Sequence, residues 1–531
     1  MSLYIYQEKK TGTIMKFMKL GTKADTFYNT DEATRSVSSD VPMDLLIQIN
    51  NTKYLLHKFP LLPKCGLLQQ RLCAVSSDHS SRVSLQLHDI PGGEEAFELC
   101  VKFCYGIRIS LSCHNFVPAF CAAKFLRMTE TMEKGNLVLK LEAFFTSCIL
   151  EGWRDSIITL QTTTEVPDWS ENIGINHRCI NSIVGKILTH PSKVRWSYTY
   201  TRPGYAEKQH RSIPKDWWTE DISDLEIDTF RCVIITIRSA TTFPSQLIGE
   251  ALHVYACKWL PNMRGAPECS ESQSEEGQGK KIRILESIVS LIPADMDSVT
   301  IQFLLKLISI TNFLGGSRSI MVELIKKCGH KLQEATVNDL HHMHNIELVK
   351  TLMESFLVEL HKERSRDELE SLGSLRKVGK LLDSYLQIIA KDVNLPIAKM
   401  VSLAESLPDN ARPEHDGIYK AINIYLKVHP ELSKTERKQL CQILDCRRLS
   451  PEICSHAIRN DRLPLRTIVQ ALFFDRARPP MSNKLTLTEQ QHTRNVDHEN
   501  LSHGKTSEIK IAKGKVVRED GASGSKTPRK N

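Results

Sequence analysis

Between Val41 and Leu72 the hydrophobic period of this chain changes from two to between three and four within one short stretch, VPMDLLIQINNTKYLLHKFPLLPKCGLLQQRL. Leu45, Ile47 and Ile49 alternate with polar or outward neighbours, as a half-buried strand does, and Asn50-Asn51 supplies turn chemistry before the run Lys53 to His57. The pattern predicts a hairpin. After Pro60 the apolar residues Leu61, Leu62, Cys65, Leu68 and Leu72 recur at helical spacing, so the second strand is expected to run directly into an amphipathic helix.

Downstream, Val83 to Leu87 alternates again, and Ala96, Leu99, Val101, Phe103 and Cys104 predict a helix ending at Tyr105-Gly106. This order of strands and helices resembles the BTB/POZ fold. Asp44-Leu45, His57-Lys58, Leu61-Leu62-Pro63-Lys64-Cys65, Phe97, Phe103 to Gly106 and the helix Asn115 to Met128 carry the match. The resemblance implies an α+β domain over 40–128, in which Asp44, His57 and Lys58 help shape the dimer or a buried polar pocket.

At 531 residues the chain suggests about three domains. Its apolar runs are interrupted by polar residues and fall short of a membrane span of about 18 residues. The N-terminus MSLYIYQEKK lacks the apolar segment of a secretory signal. The expected location is therefore cytoplasmic, with peripheral association at the plasma membrane as a second element. Fifteen cysteines without a C-x-x-C pair read as reduced core thiols rather than a metal ribbon or redox motif. The net charge of +8 is concentrated at the end, where Lys505 to Asn531 carries eight basic residues against three acidic ones. Such a tail suits weak attraction to an anionic membrane, whereas the near-balanced remainder gives no indication of a nucleic-acid face.

In chain order, residues 1–39 are expected to be a leader, mostly disordered, with an extension before Met15; the alternative is an arm packed on a BTB partner. Helical patterning continues over 129–213, broken at Pro167 and followed by an aromatic connector, Trp196 to Tyr205. A large all-α domain is expected over 214–478. Asp216 is its expected first cap, with Glu220 and Asp221 in the first turn. Within it, 262–281 is rich in Ser, Gln, Glu and Gly and is expected to be a disordered loop. Near its end Asp416 is expected to cap one helix, Ser433 with Glu436 forms a capping-box pattern, and Ser450-Pro451 and Leu463-Pro464 begin two more. Residues 479–531 are expected to be a disordered basic tail.

The start MKFMKLG, the opening Asp216-Trp217-Trp218-Thr219-Glu220-Asp221, and the runs Asp416 to Pro430, Asn460 to Arg466 and Gln470 to Phe474 extend the likeness. Over Met15 to Arg478 the chain resembles the plant nonphototropic-hypocotyl and root-phototropism family. That resemblance implies a substrate-specific adaptor for a cullin-3, RING-box ubiquitin ligase. Its alternative is a non-catalytic signalling scaffold in light or auxin responses, holding a kinase or other client. Assembly into homo- or hetero-oligomers through the BTB domain is also implied. In one respect the chain departs from cullin-3-binding relatives, which often carry a hydrophobic-x-Glu element after the helix ending near Leu72. Here Cys73 to Asp78 has no glutamate.

No enzymatic motif stands out, and no cofactor is expected. Gly504-Lys505-Thr506 has Glu499 where a phosphate loop has its earlier glycine. His341, His342 and His344 do not share one helical face, and no nearby cysteine completes a metal set. Cys100 and Cys104 stand one turn apart among apolar neighbours and read as core. Tyr419 has two readings: a half-buried tyrosine with a bonded hydroxyl, or, as the resemblance implies, a phosphorylation site near a helix N-terminus with Lys420 or Arg412 at hand.

Overall fold

The computed structural model describes residues 4–10, 13–31, 33–75, 83–201, 213–240, 243–262, 275–343, 345–363 and 368–477. The hairpin forms as its pattern predicts: β5 (Leu45–Ile49) and β6 (Thr52–Leu56) pair antiparallel from Leu45–Leu56 to Ile49–Thr52. Asn50, at φ 49°, makes the turn in the left-handed region that asparagine tolerates better than most residues. On one side β7 (Val83–Gln86) joins β5 in parallel. On the other, β4 (Thr34–Val37) joins β6 in parallel, and β3 (Phe27–Asp31) pairs with β4. The sheet order is therefore β3-β4-β6-β5-β7.

The expectation of a mostly disordered leader over 1–39 is overturned. Besides β3 and β4, this region supplies β1 (Tyr4–Lys10) and β2 (Thr13–Leu20), which pair with each other. β2 also pairs with β8 (Ile109–Leu111), Met18 opposite Leu111, and both side chains are buried. Burial of these apolar residues offsets the entropy of ordering the arm.

The chain does not run from β6 straight into one helix. It makes the single turn α1 (Lys58–Leu61), then α2 (Gly66–Val75), which extends three residues past Leu72. Ser76 to Asp78 lie outside the described residues. α3 (Gly93–Tyr105) and α4 (Phe116–Phe125) complete the first domain. α5 (Leu137–Phe144), α6 (Trp153–Thr162), α7 (Pro167–Ile173) and α8 (Ile175–Ile187) follow, with Pro167 at the start of α7.

The rest is helical, as the fold-class reading holds. It comprises α9 (Thr219–Ile222), α10 (Ile227–Ser239), α11 (Ser245–Trp259), α12 (Glu275–Leu291), α13 (Ile301–Leu314), α14 (Arg318–Lys331), α15 (Val337–His341) and α16 (Ile346–Glu363). α17 (Glu368–Ile389), α18 (Ile397–Ala404), α19 (Asp416–Val428), α20 (Lys434–Cys441), α21 (Pro451–Ile458) and α22 (Leu465–Arg476) complete it. Glu275 to Lys281 belong to α12, which corrects the expected disordered loop 262–281 at its far end; 263–274 lie outside the described residues. The capping box of Ser433 and Glu436 and the Ser450 cap are both present.

Two other expected caps fail. Asp216 accepts a hydrogen bond from Tyr200 instead, and Trp218 occupies the N-cap of α9 without a side-chain cap. His415 occupies the N-cap of α19, while Asp416 accepts the Ser450 N–H. A single apolar core runs from Met18 to Ala471. The tail 479–531 lies outside the described residues. None of the described helices is long and apolar enough to cross a membrane.

Candidate functional site

Asp44, just before β5, and His57-Lys58, just after β6, end up side by side because the hairpin brings its two ends together. Asp44 Oδ1 accepts the Lys58 N–H at 2.8 Å and so satisfies the first free amide of α1. The His57 backbone N–H donates to the Tyr105 hydroxyl at 2.8 Å, whose oxygen lies 3.1 Å from His57 Nδ1. His57 Nε2 stands 3.0 Å from the Val41 carbonyl. With the ring proton on Nε2, every one of these polar groups is matched. Burial pushes the Tyr105 hydroxyl up to about 12, partly opposed by the His57 N–H donated to it, so it serves as a neutral donor and acceptor.

This polar pocket lies within one chain, and its outward product is the turn α1. Phe59 in that turn is 87% exposed, and Val41, held by His57, is 62% exposed. Large apolar side chains displayed on a hydrogen-bonded support suit docking rather than chemistry. The sequence reading identified Asp44, His57 and Lys58 but missed Tyr105 as their partner and Phe59 as what they display. The available signal for Phe59 was its failure to fit the apolar series that begins at Leu61.

A second constellation joins the segment over 129–213 to the helical domain. Asp221, buried, accepts the Trp153 indole N–H at 2.7 Å, the Thr199 N–H at 3.3 Å and an Arg154 guanidinium N–H at 3.2 Å. The Thr199 hydroxyl donates to it as well. Trp153, Trp196 and Tyr198 surround the buried Trp217, with ring centres 4.6, 5.6 and 5.5 Å away. Trp196 and Tyr198 of the aromatic connector thus pack on Trp217, while 202–205 lie outside the described residues, and Asp221 serves this joint rather than a helix dipole alone.

Tyr419 is corrected as a phosphorylation site. It is 1% exposed, its hydroxyl lies 2.6 Å from His456 Nδ1, and Asn460 Nδ2 donates to it at 3.2 Å. A phosphate there would bring close to two negative charges into a filled, bonded site. The neighbouring motif residues have structural work too. A Cβ at Gly417 would approach Asp383 Oδ2 to 2.8 Å, where the Asp383 carboxylate pairs with Arg412 Nε at 2.7 Å. Desolvation raises the Asp383 carboxyl above its ordinary value despite that guanidinium.

Cys100 and Cys104 are buried, with Cys104 Sγ 3.7 Å from Cys65 Sγ, and burial pushes both thiols up. Among the described residues no group of His, Cys, Asp and Glu is arranged to hold a metal ion; His344 lies outside them.

Residues 216–454 match the NPH3 family domain. The chain is similar to a BTB/POZ domain-containing protein of Arabidopsis thaliana, 55% identical over 477 residues that cover 87% of this chain and 85% of the relative. Phototropic-responsive NPH3 family protein NPY1 of the same plant is 38% identical over 517 residues, covering 94% and 88%. Root phototropism protein 3, also from Arabidopsis thaliana, is 34% identical over 571 residues, covering 85% and 76%. No solved structure matches.

Proposed function

Because the chain belongs to the NPH3 family of BTB/POZ domain-containing proteins, we propose that it is a substrate-specific adaptor of a cullin-3, RING-box ubiquitin ligase. Its BTB domain would engage the ligase, and its helical domain would hold the protein to be ubiquitinated. One observation carries this reading: residues 1–477 form one compact unit, tied together at Asp221 and Trp217. A client on the helical domain would thus be held at a fixed position relative to the BTB face, and fixed placement of a target is what an adaptor contributes to chemistry done by other subunits. The cytoplasm is the proposed site of action.

A scaffold that holds a kinase or other client at the plasma membrane is the second reading. What favours it is the net +5 of Lys505 to Asn531, since basic residues near an anionic leaflet contribute about 1 kcal/mol each. Affinity purification of the full chain from plant tissue, followed by mass spectrometry, separates the two. The adaptor reading expects cullin-3 and its RING-box partner among the recovered proteins. Recovery of a kinase with membrane lipid and no cullin, while a control BTB adaptor recovers cullin from the same extract, would replace it with the scaffold.

A further inference from the structure

Most thiols of this chain are sealed in the core: Cys113, Cys121, Cys179, Cys328 and Cys441 are all buried, and burial pushes each up. Cys257 differs in both position and company. It sits on the exposed side of α11, whose opposite face buries Leu252, Tyr255 and Ala256. Lys306, reaching across from α13, places Nζ 3.2 Å from Cys257 Sγ. His253, one turn earlier on α11, stacks edge-on against Phe303, with ring centres 5.1 Å apart. His253 and then Lys306 hold the thiol down at about 7, against the opposing effect of burial. Glu250 lies behind the imidazole, 4.0 Å from His253 Nδ1.

Lys306 and His253 also line a cavity of about 480 Å³ bounded by α11, α13 and α15. Its charged and titratable lining is Lys306, His253 and His342 against the single carboxylate of Asp339. That carboxylate is already engaged by the Thr336 N–H and hydroxyl in a capping box. The described residues pair Lys306 with no carboxylate, so its charge is left to the thiol and the cavity.

We propose that Cys257, with Lys306 and His253, is a thiol-disulfide exchange site that takes up a carboxylate-bearing disulfide of the glutathione type. Deprotonated Cys257, its proton passed to water, attacks one sulfur of the disulfide. A new S–S bond forms to Cys257 as the old S–S bond breaks. The leaving thiolate departs with the bonding electron pair and takes a proton from water. Cys257 is thereby oxidised and the departing half reduced, so no further oxidant is needed. The attached tripeptide sets its carboxylates near Lys306 and His342 and fills the cavity, and a free thiol reverses the reaction.

The test treats the full chain at pH 7 with glutathione disulfide, and separately with cystamine, a cationic disulfide. Peptide mass spectrometry follows occupancy at Cys73, Cys232 and Cys257, the thiols exposed among the described residues. A thiol near 7 is about half ionised at that pH, against a few per cent for an ordinary one, and this outweighs the lower intrinsic nucleophilicity of its thiolate, so Cys257 should react with glutathione disulfide about threefold faster than the other two. It should also favour glutathione disulfide over cystamine relative to Cys232. Lys306→Met should slow Cys257 several-fold while leaving Cys232 unchanged, which controls for folding, and Lys306→Arg should restore the rate. Equal rates at the three thiols, or an unaltered rate in Lys306→Met, would overturn the site. A preference for cystamine would overturn the assigned ligand class.

Discussion

Tyr419 separates two roles that the same residues suggest to a reader of the sequence. The Asp-Gly-Ile-Tyr run looks like an accessible helix start, yet three of its members meet neighbours remote in sequence: Asp416 meets Ser450, Gly417 meets Asp383, and Tyr419 meets His456 and Asn460. Tyr419→Phe keeps the ring and removes the hydroxyl's bonds to His456, which is exposed, and Asn460, which keeps its bond to Asn423 at 2.9 Å. A loss of about 1 kcal/mol in unfolding free energy is expected in denaturant titration, with the slope unchanged. Phosphopeptide mapping of the native protein should find Tyr419 unmodified. Nearby, His415 accepts the Asp445 N–H at Nδ1, and burial, then Arg448 and Arg412, hold its imidazole below the ordinary value. Below pH of about 6.5 the unfolded chain takes up this proton while the folded chain resists it, so the contribution to stability is full above that pH and is lost as pH falls through it. Thermal melts should show Tm dropping between pH 7 and pH 5.5 more steeply in the native chain than in His415→Gln, which keeps an acceptor but does not titrate.

At the scale of single elements, local signals sufficed where the chemistry was local. Ser433 accepts the Glu436 N–H while Glu436 accepts the Ser433 N–H, both bonds lying within four residues, and the pattern could be read directly. Ser433→Ala should cost about 1 kcal/mol, read as a shift in denaturation midpoint. Reading failed where the deciding partner was distant. Met18 and Leu20 alternate as strand residues do, but their ordering depends on Ile109 to Leu111, and nothing near them announces that pairing. Asp216 and Asp416 sit where caps are expected, but Tyr200 and Ser450 claim their carboxylates. Glu275 to Lys281 were misread for another reason. An exposed turn of helix needs little apolar content when it extends a segment whose later residues, Ile284, Leu285 and Ile288, are already anchored in the core. The candidate site was half legible on the same logic: Asp44, His57 and Lys58 lie at the ends of a readable hairpin, whereas Tyr105 comes from a helix much later in the chain.

For the whole molecule, the exposed apolar side chains offer surfaces on which a second copy of this chain is expected to dock. Phe59 and Val41, both carried near His57 on the BTB domain, make the first such surface, since a two-fold interface uses the same patch on both subunits. Each Phe59 ring buried on association contributes about 2 kcal/mol, and two-fold symmetry counts it twice, so Phe59→Asp should weaken the dimer by roughly a thousandfold. Light scattering of the full chain at micromolar concentration should show a dimer or larger species, and Phe59→Asp a monomer with an unchanged circular dichroism spectrum. A competing surface exists on the last described helix, where Leu465, Val469 and Phe473 form an exposed stripe of helical spacing along α22. If the oligomer survives Phe59→Asp and dissociates on Phe473→Asp, self-association runs through that last helix, and the BTB face is left free for other proteins. A native chain that is monomeric at these concentrations would remove both surfaces as homo-oligomer contacts.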